Sequence, residues 1–205
     1  MGTVAKENLY RWCKIPGRQV VGHPDRRTPF MIVADSIEMG RVMAEELAGL
    51  VESRNQQQLS TRAIVPCGPK CWYAPFTQAV NARSISLKNL FVFHMDECLD
   101  WQGRTLPRNH PYNFRTFMEE HFYGGIRAEL AVPEKQRFWL LPETAEQVRT
   151  EIDKAPVDLT LGGWGQDGHV AYNQARRNVY SPITLDELAQ STIRIQENNT
   201  DTVLA

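Results

Sequence analysis

Three short strings in this 205-residue chain combine residue types that can do chemistry together. The first is His94-Met95-Asp96-Glu97, two carboxylates directly after the apolar run 90–93. The second is Gly162-Gly163-Trp164-Gly165-Gln166-Asp167-Gly168-His169, a glycine-rich turn that closes on an acid and an imidazole. The third, Cys67-Gly68-Pro69-Lys70, follows Ala63, Ile64 and Val65. A carboxylate at the end of a buried strand is partly desolvated, which raises its pKa toward the range useful to a general base. An aspartate two positions before a histidine can orient the imidazole and fix its tautomer. Each string also has an ordinary reading: Asp96 and Glu97 as a solvated pair of acids, Asp167 as a helix N-cap beside an incidental His169.

Two other chemistries compete for the same residues. Gly163-x-Gly165-x-x-Gly168 satisfies the dinucleotide fingerprint as a string and follows an apolar run. It lies late in the chain, it would set Asp167 against a pyrophosphate, and no later strand ends in an acid about 20 positions on, so no nucleotide cofactor is expected. Cys67, Cys71, His94 and Cys98 form a Cys₃His set of a kind that holds zinc. These four residues flank apolar strands and are more simply read as buried, and the chain's cysteines, Cys13 included, as reduced thiols, so neither a metal nor a disulfide is expected.

The elements that must position these residues are legible as periodicity. Residues 30–33 read as a strand, followed by an N-cap at Asp35 or Ser36 and a helix carrying Met39, Val42, Met43, Leu47, Leu50 and Val51 at helical spacing. Residues 63–65, 90–93, 138–141 and 157–161 read as further strands; 72–80, 113–123 and 144–154 read as helices, the second stopped by Gly124-Gly125. Strand and helix alternate, which predicts a doubly wound, Rossmann-like α/β fold, its mostly parallel sheet covered by helices on both faces. In such sheets ligands bind in the crevice beyond the carboxyl ends of the strands, where all three strings fall. Residues 1–28 show no sustained period and read as an irregular extension, leaving 29–205 as one α/β domain.

Composition narrows the partner. At 42% hydrophobic and 23% charged residues, the chain suits a globular domain and excludes disorder for its bulk. The 23 Lys+Arg and 24 Asp+Glu leave a net charge of -1, which argues against nucleic acid or an anionic membrane and for a small molecule. No apolar run approaches the roughly 20 residues needed to span a bilayer, and residues 1–10 lack the apolar core of a secretion signal. A cytoplasmic address is the expectation.

His94-Met95-Asp96-Glu97, Leu106-Pro107-Arg108-Asn109-His110-Pro111-Tyr112-Asn113-Phe114 and the run from Leu161 through Val170-Ala171-Tyr172-Asn173 together resemble the glucosamine-6-phosphate deaminase/isomerase family. They occur in the family's order and at about its spacings. The resemblance implies a doubly wound fold shared with 6-phosphogluconolactonases and with sugar-binding domains of some transcription regulators. It implies a homo-oligomer acting on a small sugar phosphate without a cofactor. Asp96 would be the base that moves a proton between C1 and C2 of the open-chain sugar. His169, oriented by Asp167, would assist ring opening. Gly68, Lys70, Glu97, Gly163, Gly165 and Gly168 would surround the substrate.

The chain also departs from the pattern. Gln174 stands where the family has an acid after its Phe-Asn pair, so the relay loses an ionisable member. Pro69 in the presumptive phosphate loop cannot donate a backbone N–H, whereas Lys70 adds a point charge. His94 and Cys98 replace the family's flanking residues, so the sugar can differ. The family's further strands and helices have no counterpart here, and the chain is expected to be a fragment of a longer protein. A lactonase-like hydrolase and a non-catalytic sugar-phosphate sensor are the alternatives.

Overall fold

The computed structural model describes residues 5–165, 168–173, 185–190, 193–195 and 198. Its centre is a four-stranded parallel sheet: β1 (Thr61–Val65), β2 (Leu90–His94), β3 (Arg137–Phe138) and β4 (Leu159–Thr160), in the spatial order β3-β2-β1-β4. The register pairs Val65 with His94 and Ile64 with Thr160. Short β4 is tied in by bonds beyond its bounds, Asp158 N to Arg62 O at 2.8 Å and Leu161 N to Ile64 O at 3.0 Å. From β1 the chain steps outward to β2 and β3, then returns across the sheet to place β4 on the other side of β1. The order thus reverses between β1 and β4.

Alternation along the central strands supplies both faces. Ala63, Val65, Leu90 and Val92 belong to the larger core, while Phe93, with half-buried Ile64 and Phe91, belongs to a smaller one on the opposite face. The larger core receives α3 (Ser36–Gln56), α4 (Tyr73–Arg83) and α5 (Phe114–His121) through residues such as Leu47, Phe76 and Met118; the smaller receives α6 (Ala145–Ile152) through Val148 and Ile152. Asp35 caps α3 by accepting from Glu38 N at 2.9 Å, and Asn113 caps α5 by accepting from Thr116 N at 2.8 Å. Gly40 lets α3 sit directly on the turn that leads into α4, since a Cβ there would lie 2.2 Å from the Cys71 carbonyl oxygen.

Two expectations are corrected. Residues 30–33 form no strand: Phe30, Met31 and Ile32 are exposed, and the sheet pairs β1 on that side with β4 instead. An apolar run has strand character only when a neighbour takes its backbone hydrogen bonds, and no described segment does so here. The N-terminal extension is not wholly irregular, because α1 (Lys6–Trp12) and α2 (Gly17–Val20) are helical, although neither buries a residue. A short α7 (Leu185–Gln190) follows the last strand. Among the described residues, no helix is long and apolar enough to cross a membrane.

Candidate active site

The carboxyl ends of β1, β2 and β4 converge where the strand order reverses, the position at which open α/β sheets bind ligands. After β1 the chain turns through Cys67-Gly68-Pro69, with a cis Gly68–Pro69 bond. After β4 it runs through Gly162-Gly163, and the two loops touch: a Cβ on Gly163 would lie 3.1 Å from Pro69 Cδ and 3.6 Å from Gly68 O. Gly162 faces Met95 of the β2 loop, whose Cε would be 3.4 Å from a Cβ there. A Cβ at Gly163 would be tight against Pro69, whereas one at Gly162 would meet Met95 at ordinary contact distance.

Asp96 sits in this convergence, half-buried just past β2. Burial pushes its carboxyl up to about 6, the neighbouring Glu97 adds to the rise, and the His169 imidazole opposes it. That influence brings Asp96 and His169, 73 positions apart, into one electrostatic environment. A carboxyl poised near 6 can be ionised at neutral pH and still be basic enough to take a proton.

Glu97 is oriented differently. Its Oε1 accepts from Phe114 N at 2.7 Å and Cys98 N at 3.0 Å, and its Oε2 accepts from Arg115 N at 2.9 Å. It therefore holds the N-terminus of α5, where a carboxylate also meets the positive end of the helix dipole. Burial raises its pKa while those backbone N–H groups oppose the rise.

His169 is fixed by its surroundings. Gly165 N donates to His169 O at 2.9 Å, Gly168 N donates to Gly165 O at 2.9 Å, and Gly168 adopts φ 82°. The imidazole lies so close to Gly165 that a Cβ there would sit 2.1 Å from its Cε1. These N–H groups are spent on the turn, and residues 168–173 continue as a turn rather than a helix. The nucleotide fingerprint thus lacks the helix N-terminus that its chemistry requires. Asp167 and Gln174 lie outside the described residues.

Lys70 is exposed and places Nζ 4.0 Å over the Phe117 ring, beside the mouth of the convergence. The cysteines are free thiols, with Cys67 buried and Cys98 half-buried. Burial pushes both thiols up to about 11, so both are neutral. Among the described residues, no three His, Cys, Asp or Glu gather to hold a metal ion. His94 of the proposed Cys₃His set is committed to the core: its ring stacks on Trp139 and its Nε2 lies 3.1 Å from Tyr123 Oη.

Two residues absent from the sequence-based set stand at the site. Tyr73 donates its hydroxyl to Cys67 O at 2.5 Å, bracing the β1 loop from α4. Tyr172 stacks on His169, and its hydroxyl lies beside the Cys98 thiol. Its place three residues after His169 was the available signal.

No family model matches the chain. Curated relatives do. The chain is 30% identical over 128 residues to a glucosamine-6-phosphate deaminase of Aliivibrio fischeri, a match covering 58% of this chain and 44% of that protein. It is 29% identical over 129 residues to one from Caenorhabditis elegans, covering 62% and 46%. The chain thus spans about half the length of the curated relatives it matches. Among solved structures, a monomeric glucosamine-6-phosphate deaminase superposes with a TM-score of 0.59 at 16% identity, over 70% of this chain and 58% of that one. A 6-phosphogluconolactonase from Shewanella baltica superposes with a TM-score of 0.52 at 16% identity, over 71% and 60%. The likeness to these two is one of fold, and over the matched segment the chain is similar in sequence to glucosamine-6-phosphate deaminases.

Proposed function

We propose that this chain carries the proton-transfer site of a sugar-phosphate isomerase or deaminase, acting on the open-chain form of a phosphorylated amino sugar or a close aldose or ketose relative. The observation that supports this reading most is the shared environment of Asp96 and His169 at the reversal of strand order. Ionised Asp96 takes the proton alpha to a carbonyl or iminium carbon and returns it to the adjacent carbon. The resulting conjugate acid is one that its raised pKa makes easy to form. His169 relays a proton to or from the ring oxygen as the pyranose opens. Lys70, exposed at the mouth beside the Gly68 turn, supplies a positive charge for the phosphate. Gly163 keeps the loop after β4 against the Gly68-Pro69 turn, and Gly165 leaves room for the His169 ring.

The test is turnover of glucosamine 6-phosphate and a small panel of related sugar phosphates by wild type and by Asp96→Asn. Removing the base should lower kcat by at least ~10²-fold with little change in binding. Gln174→Glu should raise activity if the missing carboxylate limits ring opening. Binding by calorimetry with product at background in every variant would replace this reading with that of a sensor. Turnover indifferent to Asp96→Asn would overturn the mechanism.

A further inference from the structure

The turn that follows His169 is built against local preference. Asn173 N donates to Val170 O at 2.9 Å, closing a four-residue turn whose central residues, Ala171 and Tyr172, adopt φ of 53° and 54°. Two successive left-handed residues are the signature of a type I′ turn, which favours Asn-Gly or Gly-Gly. An L side chain is sterically disfavoured in that conformation. Such a turn persists only when other contacts hold it, and strain of this kind concentrates at functional sites.

Asn173 Nδ2 also donates to Val170 O at 2.9 Å, and among the described residues Tyr172 ties the turn to the rest of the site. One ring contact is with the His169 imidazole, centroids 5.4 Å apart with planes at 26°. Another is with Phe114, at 6.4 Å and 19°. The hydroxyl lies beside the Cys98 thiol. Phe114 opens α5, and its N–H is gripped by Glu97, the residue next to Asp96. The contacts therefore run from the loop carrying the acid, through Glu97 and Phe114 to Tyr172, and from Tyr172 to His169. Against the imidazole also lies Gly165, which has no side chain to compete with Tyr172 for the ring.

We propose that Tyr172 is a positioning residue: its ring sets the His169 imidazole at a fixed place relative to Asp96 by stacking on it. The chemical role of His169 rests on the proposed function; the placement of its ring does not. Stacking between an imidazole and a phenol needs a flat ring, so phenylalanine can substitute and an aliphatic side chain cannot.

The test uses the whole chain, the histidine Cε1–H resonances, with His169 assigned by its loss in His169→Asn, and glucosamine 6-phosphate as the turnover probe. Wild type should show a nuclear Overhauser contact between His169 Cε1–H and the Tyr172 ring, and an upfield His169 signal from the ring current. Tyr172→Phe should keep the upfield signal and turn over within ~3-fold of wild type. Tyr172→Leu should lose the ring-current shift and drop in kcat by at least ~10-fold with KM little changed, as misplacement of a catalytic group requires. Absence of the Overhauser contact in wild type overturns the proposal without any variant. So does a His169 signal that Tyr172→Leu leaves in place, or a Tyr172→Phe that behaves like the leucine variant. A wild type that shows the contact but turns over no sugar phosphate removes the proposed function and leaves the placement of His169 by Tyr172 intact.

Discussion

The imidazole of His94 lies flat on the indole of Trp139, ring centroids 3.7 Å apart and planes at 8°. Arg115 stands 5.5 Å over the far partner of this pair, and Arg137 stands 4.2 Å over Tyr123, whose hydroxyl meets His94 Nε2. Burial, then the charges of Arg137 and Arg115, hold the His94 pKa down at about 3. His94, the last residue of β2, is thus a neutral member of the core two positions before Asp96.

A depressed histidine pKa makes a definite demand on pH. The stability that depends on neutral His94 is fully present above its unfolded pKa of about 6.5. It is lost as pH falls from there toward 3, because the unfolded chain binds the extra proton. The slope from this one group is about 1.4 kcal/mol per pH unit. Urea titrations between pH 7 and pH 4 should show it in wild type, and His94→Gln should flatten the profile while lowering stability at pH 7. An unchanged profile in His94→Gln would contradict a buried neutral imidazole.

Asp96 gives the opposite sign. Its folded pKa of about 6 lies above the unfolded value, so the fold tolerates the protonated form and is penalised as pH rises through 6. Asp96→Asn should therefore be more stable than wild type at pH 8, by on the order of 2 kcal/mol, and nearly equal to it at pH 4. In the active protein, kcat/KM should climb through pH ~6 as the base ionises. Stability curves at the two pH values and a pH–rate profile check both halves.

Glu97 predicts a local loss. Removing its three backbone partners in Glu97→Ala should cost about 1–2 kcal/mol, in the range of a lost helix cap, and hydrogen exchange should accelerate first at Phe114 and Arg115. Glu97→Gln keeps an acceptor oxygen and should recover part of it. Equal protection in wild type and Glu97→Ala would show that α5 needs no such anchor.

Two glycines separate packing from catalysis. Gly40→Ala drives a Cβ to 2.2 Å from the Cys71 carbonyl oxygen, a backbone atom with nowhere to go, and should destabilise the fold by about 1–3 kcal/mol. Gly165→Ala drives its Cβ to 2.1 Å from the His169 ring, a side chain that can swing away. It should cost little stability while lowering turnover at least ~10-fold. Denaturation midpoints and kcat for the two variants should therefore rank in opposite orders.

What the sequence determined by itself was the alternation of elements and the identity of the strand ends. Apolar runs such as 90–93 and helical spacing such as Met39, Val42, Met43 and Leu47 are local signals, so β2 and α3 appear where periodicity places them. Because strands in a parallel sheet point the same way, the acid after β2 and the glycines after β4 were bound to share one edge. Residues 30–33 show where local signal ends: their apolar character is strand-like, but a strand exists only through a partner, and the sheet pairs β1 with β4 there. The direction in which each acid points was likewise a tertiary decision. Asp96 and Glu97 are adjacent and chemically alike, yet one is left in the convergence and the other is drawn onto the N-terminus of α5, because only the packed structure brings Phe114 N and Arg115 N within reach. His94, Tyr172 and Cys98 were equally unreadable in role. Whether an imidazole is a ligand or a core ring, and whether a tyrosine is a surface residue or a brace for a histidine, depends on neighbours that lie tens of positions away along the chain.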